Sequence, residues 1–246
     1  MRNTRIYVDQ PLSCGLEVSL DSITSKYLGS VLRLAAGDSV TLFNGEGGEF
    51  EATIQATVKK KIITLLVGDY MEINRESPLA IHLGIGLSRG DRMDWAIQKS
   101  TEVGVTEITP LITQRSEVKL IHSRVQKKLS HWRKISVSAC EQSRRTKIPR
   151  INPPLDISCW IDTIGSGKRI VLNHQGQQSI SNFKNDDGVS SVSLLIGPEG
   201  GLTPEEVQLA NHAKFDDLSL GPRILRTETA PVVTISLIQA LWGDFS

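Results

Sequence analysis

Apolar and polar residues alternate in short runs through positions 1–72, as in half-buried β-strands. These runs are rich in β-branched residues and predict strands at Thr4–Val8, Val40–Asn44, Glu49–Ala56 and Lys61–Asp69. The glycine-rich and polar separators between the last three runs have the chemistry of tight turns. One helix interrupts the strands at Ser22–Leu32, where apolar residues recur at helical spacing. Several strands with one helix and close turns predict a small β-barrel.

A polar stretch at 73–78 follows, and Pro78 disfavours helix at the residue before it. We interpret this stretch as a linker. Beyond it, apolar runs alternate with segments of helical period, which predicts an α/β domain at 79–246 with a mostly parallel sheet and helices on both faces. The polar segment Phe183–Gly188 is predicted to be a mobile loop. The predicted strands are Leu79–Leu87, Glu107–Ile112, Arg169–Leu172, Val192–Ile196 and Leu218–Leu220, and the predicted helices are Arg92–Val103, Ser123–Arg144, Pro204–Ala213 and Thr229–Trp242.

Composition narrows the class of protein only a little. The chain has 246 residues, 39% of them hydrophobic, which is typical of one large or two small folded domains. With 28 Lys and Arg against 27 Asp and Glu, the net charge of +1 excludes a histone-like or tail-driven nucleic-acid binder but allows a local basic patch. The apolar runs are too short to span a membrane, and the first residues lack the apolar core of a signal peptide.

The cysteines and histidines give no sign of a disulfide or of a metal site. Cys14, Cys140 and Cys159 are odd in number, widely spaced and without a CxxC pair. They predict reduced thiols in a cytoplasmic protein. The five histidines form no HxxH or HExxH pattern, so no metal is expected.

The sharpest motif is a glycine-rich turn at Gly197–Gly201, between a buried strand and a helix. Thr203 is placed to cap that helix, with Pro204 at its first position and Glu206 three residues after the cap. Glycines around a single glutamate let the backbone approach a ligand closely. The motif lacks the GK[ST] of a phosphate loop and the GxGxxG of nicotinamide sites. The alternative is a plain strand–turn–helix corner.

A second motif spans Leu220–Ala230, again after a predicted strand and before an apolar helix. Arg223 and Arg226 are candidates to bind phosphate or carboxylate groups. The alternative is a solvated polar loop with one helix cap. Ligands of open α/β sheets bind at the carboxyl ends of the strands, and both motifs are predicted to lie there.

Taken together, the two motifs resemble the RsmE family, the bacterial 16S ribosomal RNA uridine-N3 methyltransferases of the SPOUT superfamily. The resemblance runs essentially end to end. It also covers Arg5–Tyr7, Val31–Arg33, Gln98–Gly104 and Ala139–Gln142. One departure is Arg144, which stands where the family usually has glycine.

The resemblance implies an architecture and a chemistry. The architecture is an N-terminal PUA-like β-barrel that binds RNA, at 1–72, a linker at 73–78, and a SPOUT α/β domain with a trefoil knot, at 79–246. The implied cofactor is S-adenosylmethionine, and the implied assembly is a homodimer. The implied substrate is a uridine of 16S ribosomal RNA in the decoding region of the small subunit, conventionally position 1498.

In the family the cofactor pocket lies at the strand end that precedes His174, so the resemblance implies that His174 contacts cofactor or substrate. If the acceptor is N3 of a uridine, the chemistry of the reaction also predicts roles for the loop residues. We expect Arg226 to stabilise the uracil anion, with Glu228 as a possible base or as a structural partner of an arginine. Expected RNA contacts are Arg2, Arg5, Arg33, Arg89 and Arg145, with further basic clusters at Lys59–Lys61 and Arg144–Arg150. Expected cofactor contacts are Leu172, Ile196, Gly197, Pro198, Glu199, Gly200, Gly201, Leu220, Gly221, Ile224, Leu225, Thr227 and Thr229.

Two other functions remain open at this point. One is a different SPOUT RNA methyltransferase, such as a ribose 2′-O methyltransferase. The other is a non-catalytic RNA-binding protein, although the intact pair of strand-end motifs argues against it.

Overall fold

The computed structural model describes residues 4–58, 62–117 and 122–245. Contacts divide the chain into two compact units. The first comprises Met1–Glu76 and Cys140–Ile148, and the second comprises Ser77–Ala139 and Pro149–Ser246. The sequence predicted one continuous domain over 79–246, whereas the short segment Cys140–Ile148 groups with the first unit.

The first unit contains a five-stranded sheet in the order β1-β3-β4-β5-β2. Among its described strand pairs, β1–β3 is parallel and the others are antiparallel. Buried aliphatic residues from all five strands form one core, with Leu28 of the helical segment fully buried among them. The strands are β1 Arg5–Tyr7, β2 Glu17–Ser19, β3 Ser39–Phe43, β4 Glu49–Val58 and β5 Ile62–Met71.

The predicted helix at Ser22–Leu32 is shorter and less regular than expected. Helix α1 covers Ser22–Lys26 and continues as one π-helical turn, Tyr27–Val31. The carboxylate of Asp21 caps it by accepting hydrogen bonds from the backbone amides of Ile23 and Thr24, at 2.8 and 3.0 Å. Ile23 and Val31 are exposed, so the apolar stripe is only partly buried.

The second unit contains a seven-stranded sheet in which every described pair is parallel. The order is β12-β10-β11-β6-β7-β8, with β9 also paired to β7. This confirms the predicted parallel sheet. Its strands are β6 Ala80–Gly86, β7 Glu107–Ile112, β8 Arg150–Ile151, β9 Leu155–Asp156, β10 Lys168–Leu172, β11 Ser191–Ile196 and β12 Asp216–Leu218, and its helices are α2 Asp91–Glu102, α3 His122–Ser143, α4 Ile157–Thr163, α5 Pro204–His212 and α6 Thr229–Trp242.

Helices cover both faces of this sheet, as the sequence predicted. Side chains alternate along a strand, so neighbouring residues point to opposite faces. Leu194 and Ile196 belong to a core cluster with residues of α2, α3 and α6, whereas Leu195 between them belongs to a cluster with α4 and α5. The buried runs of β10 and β11 are therefore apolar on both sides, as expected of a covered parallel sheet.

Two expectations for this unit need correction. The segment Phe183–Gly188 is not a free loop at its start, because Ile180–Phe183 is a 3-10 turn with Phe183 buried. The ammonium of Lys168 lies 2.5 Å from the carboxylate of Asp186 and fixes the segment to the sheet. The last strand, predicted at Leu218–Leu220, is observed two residues earlier.

In the part of the chain that the structure describes, no helix is both long and apolar enough to cross a bilayer. The trefoil knot stays a prediction.

Candidate functional site

A cleft of about 890 Å³ opens at the carboxyl ends of β10 and β11. Its walls are the turn after β11, the loop before α6 and the residues that follow β10. Both predicted motifs therefore meet in one place, as expected for strand ends of a parallel sheet. Of the predicted site residues, those lining it are Leu172, Ile196, Gly197, Pro198, Glu199, Gly200, Gly201, Leu220, Gly221, Ile224, Leu225, Arg226, Thr227 and Glu228. Thr229 does not line it and is the first residue of α6.

The glycines of the first motif are required by the turn itself. A Cβ atom at Gly197 would stand 2.7 Å from the backbone nitrogen of Leu202, and Gly201 has a φ of +69°. A Cβ atom at Gly200 would meet the side chain of Arg115 at 3.1 Å. Protein atoms account for these glycines, whereas the sequence pattern suggested close approach of a ligand. Open space does occur at Gly221, where φ is +91° and an added Cβ atom would meet no described atom within 4 Å.

The predicted helix cap is present. The hydroxyl of Thr203 accepts from the backbone amide of Glu206 at 3.3 Å, and the Glu206 carboxylate accepts from the amide of Thr203 at 2.8 Å. Glu206 is buried, and its second oxygen accepts from the backbone amide of Gln114 at 2.8 Å. One carboxylate thus caps α5 and fixes the loop that follows β7.

That loop supplies a wall residue that the sequence did not reveal. The guanidinium of Arg115 donates to the carbonyl oxygens of Gly200, at 2.9 Å, and of Leu202, at 3.3 Å. Its aliphatic stem covers Gly200. An isolated arginine 85 residues before its partner leaves no local signal in the sequence.

Glu199 connects the glycine-rich turn to the start of α2. One oxygen of its carboxylate accepts from the backbone amide of Arg89 and from the guanidinium of Arg92, both at 3.2 Å. Burial opposes ionisation, but hydrogen bonds from backbone amides, Arg92 and Ser88 outweigh it and hold the pKa of Glu199 below its usual value. The residue therefore carries a negative charge at neutral pH.

The loop before α6 combines one exposed cation with one half-buried acid. The side chain of Arg226 is 82% exposed and that of Glu228 is 17% exposed. The carbonyl of Arg226 accepts from the amides of Thr229 and Ala230, both at 2.9 Å, which fixes where α6 begins. These hydrogen bonds fix the backbone of Arg226, whereas its guanidinium is exposed. The side chain can therefore turn toward the cleft or toward solvent.

Three polar residues after β10 complete the cleft: Asn173, His174 and Gln175. The sequence pointed only to His174 among them. The Asn173 side chain accepts from the amide of Gln175 at 3.1 Å and donates to Asp217 at 3.3 Å, so it orders this turn. The cleft thus offers apolar walls, backbone polar groups and a few fixed side chains, and its volume suits a nucleoside-sized ligand such as S-adenosylmethionine.

The candidate RNA contacts fall into two groups. Arg33 and Arg89 are exposed, although Arg89 lies 3.0 Å from Glu117. Arg5 and Arg145 instead have buried side chains whose guanidinium groups lie 2.7 Å from Glu49 and 2.6 Å from Glu76. These two arginines have a structural role, because their charges are already neutralised inside the first unit. Arg2 and Lys59–Lys61 lie outside the described residues.

The departure at Arg144 has a backbone explanation. Arg144 follows the last residue of α3 and has a φ of +65°, the left-handed conformation that glycine adopts without strain. Arginine adopts this conformation at a cost that glycine would not incur.

The chain matches two family models. The model of the RNA methyltransferase domain covers residues 75–239, and that of the RNA methyltransferase PUA domain covers residues 24–67. A ribosomal RNA small subunit methyltransferase E from Buchnera aphidicola (subsp. Schizaphis graminum) is 35% identical over 100% of this chain and 99% of its own. The protein of the same name from Bacillus subtilis is 32% identical over 87% of this chain and 88% of its own.

Solved structures of methyltransferases are similar to this chain over nearly its full length. A methyltransferase of Legionella pneumophila with bound S-adenosylmethionine superposes with a TM-score of 0.93, at 39% identity over 99% of this chain and 100% of its own. A ribosomal RNA small subunit methyltransferase E of Neisseria gonorrhoeae, also bound to S-adenosylmethionine, gives a TM-score of 0.90 at 36% identity over the full length of both chains.

Proposed function

Because this chain belongs to the ribosomal RNA small subunit methyltransferase E family, we propose that it methylates 16S ribosomal RNA with S-adenosylmethionine as donor. The acceptor we propose is N3 of a uridine in the decoding region of the small subunit. The observation that carries the proposal is the cleft, in which the turn Gly197–Gly201 and the loop Leu220–Glu228 meet at the carboxyl ends of parallel strands. Both full-length structural relatives hold S-adenosylmethionine.

The cofactor, when bound, supplies a methyl group already activated by a positively charged sulfur. The residues of this chain then have to orient the acceptor and exclude water. Leu172, Ile196 and Leu225 provide apolar wall, and the backbone groups of the two loops are available to adenine and ribose.

Uridine N3 carries a proton at neutral pH, so the anion must be stabilised for N3 to attack. We assign that task to Arg226. Its guanidinium is exposed at the cleft and can donate two parallel hydrogen bonds to the uracil edge. Glu228 is the carboxylate closest to it in the loop, and the base stays unassigned.

Four arginines line the cleft, which has to accommodate a cationic sulfur as well. Two of them are already engaged: Arg92 with Glu199, and Arg115 with two carbonyl oxygens. We therefore assign the remaining two, Arg223 and Arg226, to the RNA side of the site.

We also propose a cytoplasmic homodimer. Helix α6 buries one face against the core through Ile235 and Ile238, while Val233 and Leu237 on its other side are only partly covered. A second copy of the chain would cover them. Sedimentation at micromolar concentration should give a dimer mass, and a monomer would contradict this assignment.

Nucleoside mass spectrometry of 16S ribosomal RNA tests the reaction. A strain lacking this protein should lose one methylated uridine, and the wild-type gene should restore it. The fragment pattern separates a base methyl from a ribose methyl, so a 2′-O product would overturn the proposed acceptor and favour another SPOUT activity. An unchanged methylation pattern would favour a non-catalytic RNA-binding protein.

A further inference from the structure

Within the described parts of the chain, every residue other than glycine that has a left-handed backbone conformation is basic. In residues 4–58, 62–117 and 122–245, three residues other than glycine have a positive φ: Arg33 at +57°, Arg144 at +65° and Lys214 at +64°. All three side chains are exposed. An L-residue pays a conformational cost at such a position, which glycine avoids.

The gain from the helix dipole does not explain an arginine at position 144. Arg144 follows the carboxyl end of α3, where a cation gains energy from the helix dipole. That gain is of the same order as the cost of the left-handed conformation, so fold stability does not favour arginine over glycine there. A role of the charged side chain outside the fold would account for it.

The turn that carries Arg144 is held in place by hydrogen bonds with Glu76 and Arg5. The carboxylate of Glu76 accepts from the backbone amides of Thr146 and Lys147, at 2.8 and 3.1 Å, and from the guanidinium of Arg145 at 2.6 Å. From the N-terminal strand, Arg5 donates to the carbonyl of Arg145 at 3.0 Å. Arg145 and Thr146 are buried as a result.

The two flanking side chains point the other way. Arg144 and Lys147 are exposed, one on each side of the buried pair. Within the described residues neither has an ion pair, since Glu76 and Glu49 are engaged with Arg145, Arg5 and Arg75. Two exposed cations thus stand on a backbone whose conformation is already fixed. Preorganisation of this kind lowers the entropy lost on binding.

We propose that the turn Arg144–Lys147 binds backbone phosphates of ribosomal RNA through the side chains of Arg144 and Lys147. The inference rests on the proposed function, because it assumes an RNA substrate. It assigns part of the RNA affinity to a segment from the middle of the chain that folds into the first unit. Arginine suits the task because its planar guanidinium binds phosphate oxygens in a bidentate manner.

Arg144→Gly is the decisive variant, because glycine is the residue that this backbone favours and the fold will be retained. Lys147→Gln removes the second charge and keeps the backbone hydrogen bonds. Lys214→Gly is the matched control, since it removes one charge and one left-handed side chain from the second unit. Arg144→Lys tests whether a point charge suffices.

The measurement is the affinity for small ribosomal subunits from a strain that lacks this protein, taken at several salt concentrations. We expect Arg144→Gly and Lys147→Gln each to weaken binding by roughly three- to tenfold and to reduce the salt slope by about 0.7–0.9. Lys214→Gly should leave both unchanged, and Arg144→Lys should restore part of the affinity.

An unchanged affinity and salt slope in Arg144→Gly and Lys147→Gln would overturn the proposal, as would an equal loss in Lys214→Gly. Methylation by the wild-type protein, measured on the same subunits, separates the two hypotheses. If the wild type methylates the subunits and the turn variants bind them normally, only this inference fails. If the wild type neither binds nor methylates them, the proposed function itself fails.

Discussion

The guanidinium of Arg226 and the carboxylate of Glu228 lie 3.9 Å apart at the mouth of the cleft, too far for a close hydrogen-bonded ion pair. Glu228 is largely covered, whereas Arg226 is almost fully exposed. Because the guanidinium is exposed to water and the separation is long, the pair contributes little to stability. Arg226 is thus available to a substrate rather than committed to holding its loop.

Arg226→Ala should reduce the rate of methyl transfer by about 10²–10³, the usual cost of losing one well-placed donor to a developing negative charge. S-adenosylmethionine affinity and Tm should change far less. Arg226→Lys should recover only part of the rate, because an ammonium lacks the fork of two parallel donors. Single-turnover rates on ribosomal subunits, measured beside cofactor calorimetry, check this. A matching loss of cofactor affinity or stability would instead show that Arg226 holds the loop.

Gly200→Val should weaken S-adenosylmethionine binding while the fold is retained. A branched side chain there displaces the stem of Arg115, whose guanidinium holds the carbonyls of Gly200 and Leu202. Arg115→Ala removes the same two hydrogen bonds without filling the turn, so it should weaken binding in the same direction. Calorimetry on both variants, with circular dichroism as the check on folding, separates the causes. Normal binding by Arg115→Ala beside a loss in Gly200→Val would mean that the added side chain blocks the ligand directly.

Acid should destabilise the second unit through His82. Its Nε2 accepts a hydrogen bond from the indole of Trp160 at 3.1 Å and lies 2.8 Å from the hydroxyl of Thr109. Burial lowers the pKa of His82 below its ordinary 6.5, opposed by Glu107, whose carboxylate is 4.0 Å away, and assisted by Arg150. The neutral form is therefore the one that fits the fold.

Since the folded-state pKa is depressed, this stabilisation is complete above pH 6.5 and is lost as the pH falls through the folded-state pKa. The unfolded chain takes up a proton that the folded chain resists. Tm should fall between pH 7 and pH 5, and the fall should be shallower in His82→Gln, which cannot titrate. Thermal unfolding of both proteins at matched ionic strength is the measurement, and parallel curves would exclude His82 as the source.

Glu49→Gln should destabilise the first unit by about 3–5 kcal/mol, because it leaves the buried guanidinium of Arg5 without a compensating charge. Arg75, which lies 2.8 Å from the same carboxylate, loses its partner as well. Glu51→Gln on the same strand is the control, since Glu51 is exposed and its loss should cost at most about 0.5 kcal/mol. Denaturant unfolding of the two variants measures the difference. Equal stabilities would mean that water screens the Arg5–Glu49 pair.

Helices and strands with a clear hydrophobic period could be predicted from the sequence, whereas very short ones could not. β6, α2, β7, α5 and α6 appear within a residue or two of their predicted bounds. Strand β2 has three residues and α4 has seven, which is too few for a period to emerge from the surrounding pattern. Their apolar residues Val18 and Trp160 are buried by partners elsewhere in the chain.

The sequence by itself determined the strand-end motifs, the cap at Thr203 and the parallel sheet, because each is encoded by neighbouring residues. Only the tertiary structure decided which charged side chains are buried in ion pairs and which are exposed. Arg145 is paired with Glu76, 69 residues earlier in the chain, and Gln114 is held by Glu206, 92 residues later. A local pattern records the period of an element and the chemistry of its ends. It does not record which distant side chain will neutralise an arginine, and that pairing separates the buried Arg5 and Arg145 from the exposed Arg144 and Arg226.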